Sequence, residues 1–253
     1  MRVNVGGVAN VTWIGDGGDL LAFDTGPGNG PIDDWCSKRA GLRFDKDGAL
    51  AASGKVNRGR LERFSEHRYF ARTPPKSLDR GDFNDSWVEG LSAADGAATL
   101  TRGTARAIAL GARHFPAPVA QWIVSGGGAR NPTLLRATAE ETGGKVVTAA
   151  DLGWDGDALE AEAFAFLAVR SLRGLPISFP GTTGAPILYP RGESLHAQVS
   201  MNTTLSPGSL WRTADLSAEV AVGDDADQSA VIVDDGRHAK ALSGHLIDDV
   251  THP

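Results

Sequence analysis

Asp24 is the residue best placed to do chemistry. It closes an apolar run and stands directly before two glycines around a proline, in Ala22-Phe23-Asp24-Thr25-Gly26-Pro27-Gly28-Asn29. A carboxylate at the rim of a sheet sits where α/β proteins act on their ligands, and Asp24 there reads as a catalytic aspartate. Gly26 and Gly28 let backbone approach a ligand closely, and Pro27 fixes the turn between them. Upstream, Val3-Asn4-Val5-Gly6-Gly7-Val8-Ala9-Asn10-Val11-Thr12 reads as two strands joined by a Gly-Gly turn. Such a turn can aim backbone N–H groups at a phosphate without side-chain obstruction. Downstream, Val124-Ser125-Gly126-Gly127-Gly128-Ala129-Arg130-Asn131 reads as strand, glycine loop and helix start, a second place that favours anionic oxygens. Taken singly, each has a plainer reading as a hairpin turn, a turn-forming aspartate or a tight structural loop.

These residues need a sheet to hold them. Short strands are expected at 3–5, 9–14 and 20–23, joined by glycine-rich turns. Asn29 is expected to cap a helix running through Ile32, Trp35 and Cys36. From 41 to 85 the pattern is irregular and contains Pro74-Pro75, which suggests an insertion with short helices. Lys76, Ser77, Asp79 and Arg80 follow that rigid pair, and by themselves read as a surface loop. Ser92 and Asp95 have the spacing of a capping box opening an Ala-rich helix to about 115. Strands at 121–124 and 145–148 then alternate with a helix from Asn131 and another over 159–172, where Glu160 lies in the first turn. Three strands followed by alternating helix and strand predict an α/β lobe with a mixed sheet.

Composition narrows the function. At 253 residues and 41% apolar the chain can bury a substantial core, and its 32 glycines suit many tight loops. A net charge of −6 without any Lys/Arg run speaks against nucleic-acid binding. The single cysteine, Cys36, cannot form an internal disulfide and suits a reducing compartment. No signal peptide or membrane-spanning stretch is legible, so a cytoplasmic protein is expected. The six histidines have no metal-ligand spacing, and no metal site is expected from this chain's own residues. Asn131 stands where a dinucleotide fingerprint would have its last glycine, and there is neither a GK[ST] loop nor a G-x-S-x-G elbow. Residues 214–253 carry nine acidic and two basic side chains. The stretch 186–253 therefore reads as a solvated or disordered acidic extension with one strand near 230–233, or as the product of a reading-frame change.

The segments NVGGVANVTWI, AFDTGPGNGPIDDWC and VSGGGARNPTLL occur in this order. With Phe44-Asp45-Lys46-Asp47-Gly48, Tyr69-Phe70 before Pro74-Pro75-Lys76-Ser77, and Glu160-Ala161-Glu162-Ala163-Phe164-Ala165, they resemble the anhydro-N-acetylmuramic acid kinases. The resemblance implies the actin/hsp70/sugar-kinase fold: residues 1–185 would form a ribonuclease H-like C-terminal lobe with a helical insertion at about 41–90. It implies ATP and Mg2+, opening of a 1,6-anhydro sugar by water, and transfer of the γ-phosphoryl group to the freed O6. The product would be N-acetylmuramic acid 6-phosphate, in peptidoglycan recycling. Asp24 would be the base, with Gly26, Gly28, Asn29 and Glu160 toward the sugar. Gly6, Gly7, Asn10, Gly126, Gly127, Gly128 and Asn131 would lie toward ATP. The family's N-terminal lobe, with its own phosphate loop and acidic residue, has no counterpart here. The expected partners are thus the sugar and ATP, with a homodimer or a separately encoded N-terminal lobe completing the site. The alternative is a catalytically incomplete fragment or a noncatalytic sugar- or nucleotide-binding remnant.

Overall fold

The computed structural model describes residues 1–15, 18–155 and 158–185, with backbone alone at 159 and 160, together with the backbone of three later strands. Contacts divide the chain into two units, 1–156 with 180–185 and 157–179 with 186–253.

The first unit is built on β1 (Arg2–Val5), β2 (Val8–Ile14), β3 (Leu20–Pro27), β4 (Gln121–Ser125) and β5 (Lys145–Thr148). They lie in the order β3-β2-β1-β4-β5. β1 to β3 form an antiparallel meander, and β4 and β5 run parallel to β1. Short turns allow the meander, whereas a parallel neighbour needs a long crossover, supplied here by the stretch between β3 and β4. This is the sheet of the expected ribonuclease H-like lobe. The helices of the chain are α1 (Gly30–Ala40), α2 (Ala49–Ser53), α3 (Arg58–Ser65), α4 (Ala93–Gly111), α5 (Pro132–Thr142), α6 (Leu159–Leu172) and α7 (Pro180–Thr183).

Strand alternation decides which side is core. Val3, Val5, Ala9, Val11, Phe23, Trp122 and Val124 recur at period two and are buried. They pack against Ala105 and Ile108 of α4 and Leu134 and Ala137 of α5. Small residues on α4 let bulky neighbours come close: a Cβ on Gly96 would lie 2.2 Å from the Trp35 ring, and one on Gly111 2.8 Å from the Thr25 methyl. The insertion at 41–90 contains α2, α3 and several short 3-10 turns. Its aromatic cluster of Phe64, Tyr69, Phe70 and Phe83 sits on Ala107 and Leu110 of α4.

Two local expectations are corrected. β3 runs four residues beyond the predicted end at Phe23, so Asp24, Thr25, Gly26 and Pro27 belong to the strand. A bulge admits this extension: Asn10 pairs with Asp24, while Ala9 pairs with Gly26. Proline is tolerated because β3 is a sheet edge, where a missing N–H breaks no ladder. At the start of α4, the Ser92 hydroxyl accepts from the Asp95 N–H at 3.1 Å, as predicted. The Asp95 carboxylate instead accepts from the Lys55 N–H at 2.7 Å, tying the insertion to the helix rather than completing a box.

In the second unit, α6 matches the predicted helix. Strands β6 (Ser217–Ala218), β7 (Ser229–Val233) and β8 (Ala239–Ser243) form an antiparallel sheet, and β7 contains the predicted strand. The reading of the rest of 186–253 as a divergent extension falls outside the described residues. Among the described residues, no helix is long and apolar enough to cross a membrane.

Candidate active site

The face of the sheet opposite the core carries a polar row. Asp24 on β3 pairs with Asn10 on β2, Asn10 with Asn4 on β1, and Asn4 with Ser125 on β4. Directly paired residues share a face, so four polar side chains line up across four strands, spanning roughly 14 Å at the usual strand spacing. Asn4 and Ser125 were not predicted as site residues. Their signal was present as alternation, since Val3-Asn4-Val5 and Val124-Ser125 place one polar residue between or beside core valines. The Ser125 hydroxyl lies 3.4 Å from the Asn4 side-chain oxygen.

Asp24 is half-buried and firmly held. Its N–H donates to the Lys76 carbonyl at 3.0 Å. The Leu78 N–H donates to its Oδ2 at 2.8 Å, and the Tyr69 hydroxyl donates to its carbonyl at 2.6 Å. Burial raises the Asp24 pKa above the usual carboxylate range, and the Leu78 hydrogen bond partly offsets this. The direction suits a general base, whose affinity for a proton must approach working pH. Lys76 lies in the core rather than on a surface loop, 6% exposed, with its ammonium over the rings of Tyr69 and Phe23. Burial and the nearby Arg72 lower its pKa to about 8.

Glycines lock the Gly6-Gly7 turn to the loop after β3. The Gly28 and Gly30 N–H groups donate to the Gly7 carbonyl at 3.0 and 3.1 Å, and the Asn29 N–H donates to the Gly6 carbonyl at 2.7 Å. A Cβ on Gly28 would lie 2.3 Å from the Gly6 carbonyl oxygen. Gly26 faces α4, where a Cβ would lie 2.6 Å from that of Ala107. The Gly6 N–H donates to the Val8 carbonyl at 3.2 Å, within the turn itself. Asn29 occupies the cap position of α1, but its side chain makes no cap bond. Its backbone is already helical there, and its Nδ2 donates instead to the Val5 carbonyl at 3.2 Å. A Cβ on Gly127 would meet that same Nδ2 at 3.2 Å, so Asn29 lies between hairpin and glycine loop.

Gly126 has φ of 75°, and a Cβ there would lie 2.6 Å from the Asn4 side-chain oxygen and 2.9 Å from the Val5 carbonyl oxygen. Gly128 is equally tight, 2.5 Å from the Val5 Cβ. Glycine is thus required for the loop to cross the end of β1. Asn131 caps α5 by accepting from the Leu134 N–H at 2.9 Å, a bond worth about 1 kcal/mol. Its side-chain oxygen is therefore committed to the fold. Glu160 is the second residue of α6 in the other unit, and its side chain is outside the described residues.

Asp33 on the first turn of α1 was not singled out by sequence. Burial pushes it up to about 6, with Arg80 opposing and Asp34 and Asp45 adding to the rise. A raised carboxyl pKa favours the folded state while the group is protonated, and that contribution is lost as pH rises through about 6. Asp33→Asn is therefore expected to raise the melting temperature at pH 8 and to lose that advantage as pH falls toward 4. An equal gain at both pH values would reject the assignment.

The hairpin, the Asp24 strand and the glycine loop thus meet along one polar row. The family model for anhydro-N-acetylmuramic acid kinase matches residues 1–194. The chain belongs to the anhydro-N-acetylmuramic acid kinase family. It is 56% identical over 187 residues to the anhydro-N-acetylmuramic acid kinase of Paramagnetospirillum magneticum, covering 73% of this chain and 53% of that protein. It is 55% identical over 183 residues to that of Rhizorhabdus wittichii, covering 72% and 50%. The chain spans about half the length of these kinase relatives. Among solved structures, an activator of the 2-hydroxyisocaproyl-CoA dehydratase from Clostridium difficile with bound ADPNP aligns at a TM-score of 0.38 and 18% identity, covering 58% of this chain and 52% of that one. A TM-score of that size carries no weight for this anhydro-N-acetylmuramic acid kinase relative, whose fold rests on its own strand order.

Proposed function

We propose that this chain supplies the base-bearing lobe of an ATP-dependent kinase of 1,6-anhydro-N-acetylmuramic acid. The observation that carries the reading is the polar row that starts at a held, half-buried Asp24 and ends at the glycine loop after β4. Asp24 takes a proton from the water that attacks the anomeric carbon. The C1–O6 bond breaks, and O6 receives the γ-phosphoryl group of ATP, giving N-acetylmuramic acid 6-phosphate and ADP. The row is about as long as a nucleoside triphosphate, so adenosine at residues 126–128 would bring the γ-phosphate toward Asp24. Phosphoryl transfer asks mainly for such positioning and for charge neutralisation.

In this reading Gly7 offers its N–H to a phosphate, and Asn10, next to Asp24 in the row, faces the transferring group. Gly26, Gly28 and Asn29 act on the sugar by shaping the loop beside Asp24, and Glu160 is assigned to the sugar by its match to the family's glutamate. Among the described residues, no group of three or more His, Cys, Asp or Glu could hold a metal. Mg2+ commonly rests on one or two carboxylates together with substrate phosphates. The reaction is placed in the cytoplasm, where peptidoglycan fragments are recycled.

Gly7→Ala tests the phosphate reading. A Cβ there meets only the Arg80 side chain at 3.7 Å, an ordinary contact, so stability should hold. ATP affinity, measured by calorimetry in a preparation in which the wild type binds ATP, should fall at least severalfold. Unchanged affinity would remove Gly7 from the site. The whole reading is tested by phosphorylation of the anhydro sugar with ATP and magnesium.

A further inference from the structure

The insertion grips Asp24 at three points. The Lys76 carbonyl takes its N–H, the Leu78 N–H takes its Oδ2, and the Tyr69 hydroxyl takes hold of its carbonyl at 2.6 Å. Tyr69 is itself fixed. It is 3% exposed, lies edge-on to Phe70 and Phe83, and has the Lys76 ammonium 4.7 Å over its ring. That ammonium also donates to the Tyr69 carbonyl at 3.3 Å.

Resting on the reading of Asp24 as base, we propose that Tyr69 is a positioning residue that holds the Asp24 peptide so that Leu78 binds one carboxylate oxygen and the other faces the substrate. A carboxylate on an edge strand has no second strand to fix its peptide plane. The phenol supplies that constraint from a rigid aromatic cluster on α4. One oxygen is then committed to Leu78, and its partner is aimed along the polar row. Without the hydroxyl the Asp24 peptide can rock, and the Leu78 bond lengthens. Since that bond lowers the Asp24 pKa against the effect of burial, loosening it must raise the value further.

The test uses the full chain and needs no turnover. Carbon-13 NMR of the Asp24 carboxyl gives its midpoint in wild type and in Tyr69→Phe, which removes one oxygen and keeps the ring. The midpoint is expected to rise by about half a pH unit, and the Leu78 amide shift should follow Asp24 less closely. An unchanged midpoint with an unchanged Leu78 response overturns the proposal. Should Tyr69→Phe fail to fold, 3-fluorotyrosine in the wild-type chain decides. The sequence has two tyrosines, so the Tyr69 fluorine signal is assignable. It must titrate at the Asp24 midpoint, and a flat response again overturns the proposal. The reading of Asp24 as base fails separately, if Asp24→Asn retains turnover in a preparation that the wild type makes active.

Discussion

Asp24→Asn is expected to lower kcat by about 10²- to 10⁴-fold wherever the wild-type protein phosphorylates the anhydro sugar, with the KM for sugar and ATP largely unchanged. Asparagine keeps an oxygen for the Leu78 N–H, which now lies 2.8 Å from Oδ2, and the backbone grip from Lys76 and Tyr69 does not involve the side chain. The fold around the site should therefore survive while the proton acceptor is lost. Wild-type activity should also fall on the acid side at a pH above the ordinary carboxylate range, because burial raises the Asp24 pKa. The sign follows from the chemistry: a base works only when ionised, so activity appears as pH rises through its pKa. Steady-state rates across pH check both points. A variant with near wild-type turnover, or an acid limb that survives the substitution, would assign the base to another group.

Gly28→Ala should be the most damaging single methyl group in the site. The new Cβ would lie 2.3 Å from the Gly6 carbonyl oxygen, 2.9 Å from the Val8 carbonyl carbon and 3.1 Å from the Ala9 nitrogen. All three are backbone atoms of the first hairpin, so no side-chain rotation relieves the clash. The residue is also held from both ends, its N–H on the Gly7 carbonyl and its carbonyl accepting from the Thr104 hydroxyl at 3.0 Å. Separating loop and hairpin should cost about 3 kcal/mol in unfolding free energy, read as a lower urea midpoint. The contrast with Gly7→Ala is part of the prediction, since the glycines belong to two bonded turns but only one has backbone behind it. Equal midpoints for the two variants would show that the loop adapts.

Much of the lobe was legible because its signals are local. Short apolar runs bounded by glycine turns placed the five strands of the sheet, the Ser92 cap placed α4, the glycine loop before Asn131 placed α5, and an Ala/Phe/Leu-rich run ended by Gly174 and Pro176 placed α6. What escaped depends on contacts distant in sequence. The strand could not be followed past Asp24 because its extension relies on pairing with β2 around a bulge, in a sequence whose Gly-Pro-Gly favours a turn. Asn29 has the residue type of a cap, yet the hairpin beside it offers the Val5 carbonyl, and that partner took the side chain. Asn131 is the reverse case: its side-chain oxygen does cap the helix expected to start there, by accepting from the Leu134 N–H. Tyr69 and Leu78 carried no sequence signal for Asp24, because they lie 45 and 54 residues away. Leu78 acts through its backbone N–H, which every residue but proline has.

β3 lies at the end of the sheet, and its outer side is where another chain could add a strand. The insertion occupies that side, with the Lys76 carbonyl on the Asp24 N–H and the Leu78 N–H on the carboxylate. Open strand edges invite edge-to-edge association, and proteins cover them. The segment that aims the carboxylate is therefore also a guard against self-assembly. A chain whose insertion came away would lose the orientation of Asp24 and, in the same event, expose the strand that carries it as a template for aggregation.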